Sequence, residues 1–170
     1  MDLALLLVRL IGLGFAAHGA QKLFGSFGGY GIAGTAGWME SIGFKPGRLF
    51  AVAAGFSEFA GGLLVALGLF GPLGPMLIIS VMVVAILTVH GPSGFFNQNN
   101  GYELPLVYIA LAIVLAFTGP GTYSLDTLFG ISNVWTPALQ WSAVGLGFLG
   151  GLLNVAARRK PAAAPQTAGN

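Results

Sequence analysis

Five long apolar segments dominate the chain and limit the folds open to it. Each is about 17–25 residues long, the length that an α-helix needs to cross a hydrocarbon core about 30 Å thick. Since lipid offers the backbone no hydrogen-bonding partner, such segments pair their backbone groups internally, as helices. The predicted spans cover about residues 3–22, 48–70, 73–91, 103–119 and 137–157. The sequence therefore predicts an all-α, polytopic transmembrane helical bundle, with a four-helix core and a fifth C-terminal span.

The composition also indicates a protein surrounded by lipid. Hydrophobic residues make up 55% of the chain and charged residues only 7%, whereas soluble domains carry about 25% charged residues. So few charges cannot cover a water-facing surface. The chain contains no cysteine, which excludes disulfides, iron–sulfur ligation and covalent c-type haem attachment through its own residues. A net charge of only +2 gives no reason to expect nucleic acid as a partner.

The spans divide the chain into three parts. Residues 1–130 form a four-helix membrane domain, and residues 131–157 supply an additional transmembrane helix. Residues 158–170 form a basic and then disordered cytoplasmic tail, because they begin with Arg and Lys and continue with Ala and Pro. In the loop after the first span, residues 35–44 are predicted to form a short interfacial helix, with Trp38 and Met39 against lipid and Glu40 in water.

The positions of Lys and Arg predict the orientation. Cytoplasmic loops of membrane proteins carry an excess of these two residues. Five spans place the first loop and the C-terminal tail on the same side of the membrane. The basic residues outside the spans, or at their ends, fall on that side: Lys22, Lys45, Arg48, Arg158, Arg159 and Lys160. We therefore expect a cytoplasmic C-terminus and an N-terminus outside.

Two charged residues, Arg9 and Glu58, lie deep within predicted spans. A charge at that depth costs about 2.5–3.5 kcal/mol on insertion scales, so it needs a partner or a function. Their depths differ by only about 5 Å at the rise of an α-helix, which predicts a buried Arg9–Glu58 pair. Small residues around Glu58 should let a neighbouring helix approach, so we expect it to face protein. Both a structural ion pair and a proton-handling or substrate-binding carboxylate remain open.

A second polar group gathers where three spans meet the cytoplasmic face. Topology brings six residues to that face: His18, Gln21, Lys22, His90, Tyr102 and Glu103. These residue types suit the carbonyl oxygens of a quinone headgroup, and histidine can relay protons near neutral pH. A haem held by the two histidines and plain interfacial residues that snorkel and cap helix ends are the other interpretations. The sequence contains no metal-ligand motif and no evident cofactor motif, so a quinone is the cofactor that we consider.

Glycine patterns in the last span favour helix packing over nucleotide binding. Gly145, Gly147 and Gly150 match the G-x-G-x-x-G spacing, but they lie within an apolar span and follow no strand. Gly147 and Gly151 instead match the G-x-x-x-G spacing that lets two membrane helices pack closely. We therefore expect these two glycines to contact a neighbouring helix.

Several motifs in order resemble the DoxX family. They are Arg9…Gly12…Phe15…His18-Gly19…Gln21-Lys22-Leu23-Phe24-Gly25, residues 34–40, residues 58–62, residues 88–90, residues 101–108 and residues 119–126. The resemblance covers about residues 1–130 and implies a four-helix bundle of the bacterial inner membrane. The fifth span departs from that four-helix pattern.

The resemblance also implies a function. Some members of that family resemble the membrane subunit of thiosulfate:quinone oxidoreductases, and others associate with redox enzymes in stress defence. The first hypothesis is therefore a membrane subunit of a redox system, with a quinone near His18, Gln21, His90 and Glu103. The sequence leaves open whether the chain is an enzyme.

Two other functions stay open. The chain could be a scaffold that recruits soluble redox enzymes through its basic inner loop and fifth helix. It could also be a small-solute transporter that uses Arg9 and Glu58 and works as a homo-oligomer. The partners expected are lipid and either soluble redox enzymes or another oxidoreductase subunit.

Overall fold

The computed structural model describes residues 2–159, which form helices joined by short irregular connections. No strand occurs in that range, which confirms the predicted all-α class. Lys160 and the predicted disordered tail lie outside the described residues. The α-helices are α1 (Asp2–Arg9), α2 (Ile11–Phe24), α3 (Gly31–Ser41), α4 (Gly47–Leu67), α5 (Leu73–Ala85), α6 (Glu103–Thr118), α7 (Leu125–Leu128) and α8 (Pro137–Ala156).

Within residues 2–159, four helical segments are long and apolar enough to cross a membrane: Asp2–Phe24, Gly47–Leu67, Leu73–Ser93 and Pro137–Ala156. The first joins α1 and α2 across a break at Leu10, and the third continues α5 through a π-helical turn over Ile86–His90 and a 3₁₀ turn. Helix α6 is apolar but has only 16 residues, about 24 Å at 1.5 Å per residue. The fifth predicted span is present as α8.

Local signals in the sequence explain where these helices begin and end. Helix α2 ends at Gly25, whose φ of 73° is the left-handed conformation that glycine adopts without a steric penalty. Helix α8 begins with Pro137 after Thr136, whose hydroxyl accepts a hydrogen bond from the backbone N–H of Leu139. Both ends therefore follow the usual chemistry of helix caps.

Glycines bring two pairs of helices into close contact. At the α2–α4 contact, a Cβ added to Gly19 would lie 2.6 Å from the carbonyl oxygen of Gly55. At the α5–α8 contact, a Cβ added to Gly147 would lie 2.8 Å from the carbonyl oxygen of Met76. A Cβ added to Gly151 would lie 2.8 Å from the carbonyl oxygen of Ser80. No side chain fits in these spaces, so the predicted packing role of Gly147 and Gly151 is confirmed.

The bundle has two chemically different ends. The α3 end carries the loops around α3 and the C-terminal end of α8, where Arg158 Nε donates to the carbonyl oxygen of Ile42 at 2.5 Å. The Asp126 end carries the N-terminus of α1 and the α6–α8 connection, where Asp2 Oδ1 accepts from the backbone N–H of Thr122 at 3.2 Å. The candidate site lies at the α3 end.

Helix α3 begins four residues earlier than predicted and folds back onto α4. Trp38 is 43% exposed and Glu40 is exposed, as expected. The prediction that Met39 faces lipid is wrong. Met39 is 6% exposed and packs with Phe44 and Ala51, because α3 turns that face toward α4.

Candidate functional site

The buried carboxylate Glu58 is paired with Lys22, not with Arg9. Lys22 Nζ donates to Glu58 Oε1, and the two groups form an ion pair. Glu58 is 4% exposed, so the prediction that it faces protein is confirmed. The predicted Arg9–Glu58 pair is wrong. Lys22 lies on α2, which packs against α4, the helix that carries Glu58. Its long side chain extends toward Glu58 and brings the ammonium group into contact with the carboxylate.

Arg9 serves the opposite end of the molecule. Its guanidinium donates to the carbonyl oxygens of Pro120 at 2.6 Å and of Tyr123 at 2.5 Å. Arg9 is 3% exposed, so burial was predicted correctly although the partner was not. Arg9 is the last residue of α1, just before the break at Leu10, and its guanidinium reaches the α6–α7 connection. Carbonyl oxygens there take the place of a carboxylate.

A cavity of about 500 Å³ opens beside the Lys22–Glu58 pair. We call it the Trp38 cavity. Helix α2 supplies the polar part of its lining, and α3 with the residue before it supplies the aromatic part. Glycines of the α2–α3 connection complete it. Its principal side chains are those of His18, Gln21, Lys22, Tyr30, Thr35 and Trp38.

Hydrogen bonds order the polar side of this cavity. His18 Nδ1 lies 3.0 Å from Gln21 Oε1, and Gln21 Nε2 donates to the carbonyl oxygen of Phe27 at 3.2 Å. Thr35 is buried, and its hydroxyl donates to the backbone carbonyl of Lys22 at 3.4 Å. The loop and α3 are thus fastened to the polar end of α2.

The three other predicted site residues lie elsewhere at the α3 end. His90 Nδ1 donates to the carbonyl oxygen of Asn100 at 2.8 Å, and Glu103 Oε2 accepts from the backbone N–H of Asn97 at 3.0 Å. The ring of Tyr102 packs edge-on against Phe95. These residues order the α5–α6 connection, and none of them lines the Trp38 cavity. The structure therefore splits the predicted set of six into two groups of three.

Two aromatic residues of the cavity were not predicted as site residues. Tyr30 is 88% exposed and Trp38 is 43% exposed, and both line the cavity. Trp38 was predicted only as a lipid-facing residue of an interfacial helix. The short connection between α2 and α3 could have indicated both residues. Because only six residues join the two helices, α3 must fold back beside the end of α2 that carries His18.

Asp126 is a second buried carboxylate, with a structural role that the sequence did not reveal. It is fully buried and accepts from the backbone N–H groups of Phe70 at 2.7 Å and Gly71 at 2.8 Å. The indole N–H of Trp135 donates to it at 2.7 Å. Three donors satisfy this charge, and they join the α4–α5 turn to the segment before α8.

The cavity is better suited to an organic ligand than to a metal ion. Its polar side chains carry one imidazole, one amide, one ammonium group and two hydroxyl groups, those of Thr35 and Tyr30. Among residues 2–159, no group of three or more His, Cys, Asp or Glu side chains is placed to hold a metal ion. The residues present offer hydrogen bonds and aromatic surface.

Comparisons with known proteins place the chain in a family. A curated protein of Haemophilus influenzae, described as an uncharacterized protein, is 41% identical over 58 residues, which are 34% of this chain and 36% of that protein. The chain thus matches about a third of the length of that relative. No solved structure matches the chain. The DoxX family model matches residues 4–91, just over half of the 170 residues. The chain belongs to the DoxX family.

Proposed function

We propose that this multi-pass membrane protein is a subunit of a redox system and that its Trp38 cavity binds the headgroup of a membrane quinone. The observation that carries the proposal is the cavity itself, in which polar side chains of α2 meet aromatic side chains of α3. Its volume of about 500 Å³ lies in the range of about 300–1,000 Å³ typical of small-molecule sites.

The chemistry of the lining matches that of a quinone. The two ring oxygens accept hydrogen bonds in the quinone and can also donate them in the quinol. The ammonium group of Lys22 can donate to one of them, and the imidazole of His18 can form a hydrogen bond with the other. The flat ring would pack on Trp38 and Tyr30, which present aromatic surface at the cavity. Reducing a quinone to a quinol consumes two electrons and two protons. The electrons would come from a partner oxidoreductase, while this chain holds the headgroup and His18 handles a proton.

We further propose that the protein lies in the bacterial inner membrane with its α3 end in the cytoplasm. Lys45, Arg48 and Arg159 are exposed at that end, and basic residues favour the cytoplasmic side. The cavity would then open at the inner leaflet. Exposed Trp38 and Tyr30 fit that level, because aromatic side chains collect where lipid headgroups meet water.

Quinone binding to the purified protein tests this proposal. A short-chain ubiquinone and its quinol, titrated separately, should quench tryptophan fluorescence in a saturable manner. His18→Leu should weaken binding of the form that the parent binds more tightly about tenfold, because the polar contact is worth roughly 1.4 kcal/mol. His90→Leu is the matched control, since His90 lies at the same end but outside the cavity, and should bind as the parent does. Equal affinity in the parent and in His18→Leu would contradict the proposal.

A scaffold for soluble redox enzymes is the second candidate. The backbone N–H of Arg159 donates to the carbonyl oxygen of Gly43 at 2.8 Å, which joins the end of α8 to the first loop. Lys45 and Arg48 follow directly after this contact, so both segments present one basic surface. An acidic face of a soluble partner would fit it. The transporter hypothesis loses its basis, because Arg9 and Glu58 are not paired.

Charge reversal tests the scaffold. We expect Lys45→Glu with Arg48→Glu to reduce the soluble redox enzymes that copurify with the protein from its native membranes, and high salt to do the same to the parent. The reversal Asp2→Lys at the Asp126 end is the control for a general effect of charge. Unchanged recovery in the double variant would refute the scaffold.

A further inference from the structure

The orientation of the Gln21 amide is set by its two partners. Its nitrogen lies 3.2 Å from the carbonyl oxygen of Phe27, which can only accept a hydrogen bond. The amide oxygen therefore faces His18 Nδ1, at 3.0 Å. Because this oxygen also can only accept, the hydrogen between the two side chains must sit on His18 Nδ1.

The surroundings hold Gln21 in this orientation. A Cβ added to Gly29 would lie 2.5 Å from the Cα of Gln21, so the loop rests directly on this residue. Gln21 is half-buried, and His18 stands three residues earlier on the same helical face. The pair is thus fixed from both sides, by helix geometry and by the loop.

The consequence is an acceptor in the cavity. A neutral imidazole carries one N–H, so with Nδ1 protonated the Nε2 atom of His18 accepts. In the described part of the chain, Nε2 makes no hydrogen bond, and His18 lines the cavity. A quinol hydroxyl can donate to this atom, whereas a quinone carbonyl would place two acceptors against each other.

We propose that Gln21 is a positioning residue that makes the Trp38 cavity selective for the reduced, hydroxyl-bearing form of its ring ligand while His18 is neutral. This inference rests on the proposed function and adds the redox state that the site prefers. A site built to receive a hydroxyl hydrogen rejects the analogue that lacks it, because its own polar atom is left unpaired.

Protonation of His18 reverses the preference. The protonated ring donates from Nε2, which suits a quinone carbonyl. The other ionisable groups at the cavity do not select in the same way. The ammonium group of Lys22 is engaged by Glu58 of α4, and the hydroxyl of Tyr30, which precedes α3, both donates and accepts.

Titrating the purified full-length protein with decyl-ubiquinol and with decyl-ubiquinone, without oxygen, tests the inference. At pH 8 the quinol should bind about three- to tenfold more tightly, the effect of one hydrogen bond. At pH 5.5 the quinone should bind more tightly. His18→Gln should remove the pH dependence, because its amide donates and accepts at every pH. Gln21→Met should bring the ratio at pH 8 toward one, while Gln98→Met, an exposed residue of the other polar loop, should keep the parent ratio.

The outcomes separate this inference from the proposed function. Binding of neither form at either pH would overturn both. Binding of both forms with one ratio at both pH values, or a preference for the quinone at pH 8, would overturn the inference and leave the quinone site standing. A parent ratio in Gln21→Met would overturn the role of Gln21.

Discussion

At the scale of single residues, the two members of the Lys22–Glu58 ion pair differ in burial. The Glu58 side chain is 6% exposed, whereas that of Lys22 is 29% exposed. The second carboxylate oxygen of Glu58 has no hydrogen-bond partner among the described residues. Glu58 therefore depends on Lys22 for compensation, while Lys22 can extend toward the headgroups if Glu58 is neutral.

Removing the lysine should cost more than removing the carboxylate. Lys22→Met leaves an unpaired buried charge and should lower the free energy of unfolding by about 3–5 kcal/mol. Glu58→Gln keeps the shape, frees a lysine that reaches water, and should cost roughly 1–2 kcal/mol. Thermal unfolding in detergent measures both, and the double variant should recover part of the loss in Lys22→Met. Equal losses in the two single variants would argue against this account of the pair.

At the scale of elements, small residues decide which helices touch. A Cβ at Gly19 of α2 would run into the backbone of α4, whereas one at Gly14 of the same helix meets nothing within 4 Å. The two positions share a helix and a residue type but lie on different faces. Glycine content alone therefore does not determine packing; the face on which the glycine lies does.

This difference predicts opposite effects for the same substitution. Gly19→Ala should destabilise the bundle by about 1–3 kcal/mol, because the added methyl group pushes α2 away from α4. Gly14→Ala should be neutral or slightly stabilising, since alanine favours a helix. Melting temperatures of the two variants provide the measurement. A loss of stability in Gly14→Ala that equals the loss in Gly19→Ala would contradict the assigned helix face.

The elements themselves were largely predictable, because apolar length determines a span without reference to its neighbours. The predicted spans 48–70 and 137–157 correspond to α4 and α8 within three residues. The break at Leu10 and the π-helical turn ending at His90 were not predicted. The π-helical turn comes directly before Gly91 and Pro92, a local signal for a change in helix geometry, whereas no proline lies near Leu10.

At the scale of the whole molecule, topology predicted the end of the bundle for each of the six predicted site residues but not their lateral positions. His18 and His90 do lie at the α3 end, as the alternation of five helices requires. Only His18 lines the cavity, because the lateral order of helices depends on tertiary contacts. The Arg9–Glu58 pair failed for a different reason, because the two residues do not lie at the same depth. Glu58 lies beside the end of α2 that carries Gly19 and Lys22, whereas Arg9 lies beside Gly68, at the other end of α4.

The two ends of the bundle differ in how their polar groups are arranged. At the Asp126 end, hydrogen bonds hold the buried polar groups in place. Three donors surround Asp126, and two carbonyl oxygens accept from the terminal nitrogens of Arg9, whose Nε has no partner among the described residues. The α3 end keeps an open cavity beside an ion pair. Rigid closure at one end would hold the helices in place while the other end receives a ligand.

Photolabelling with an azido-quinone in native membranes, followed by mass spectrometry, tests the quinone site most directly. The account predicts labelling within residues 18–38 that is abolished by excess unlabelled quinone. A wholly apolar groove of about 510 Å³ between α5, α6 and α8 is the competing place for a quinone. Competable labelling confined to that groove, with residues 18–38 unlabelled, would contradict the account.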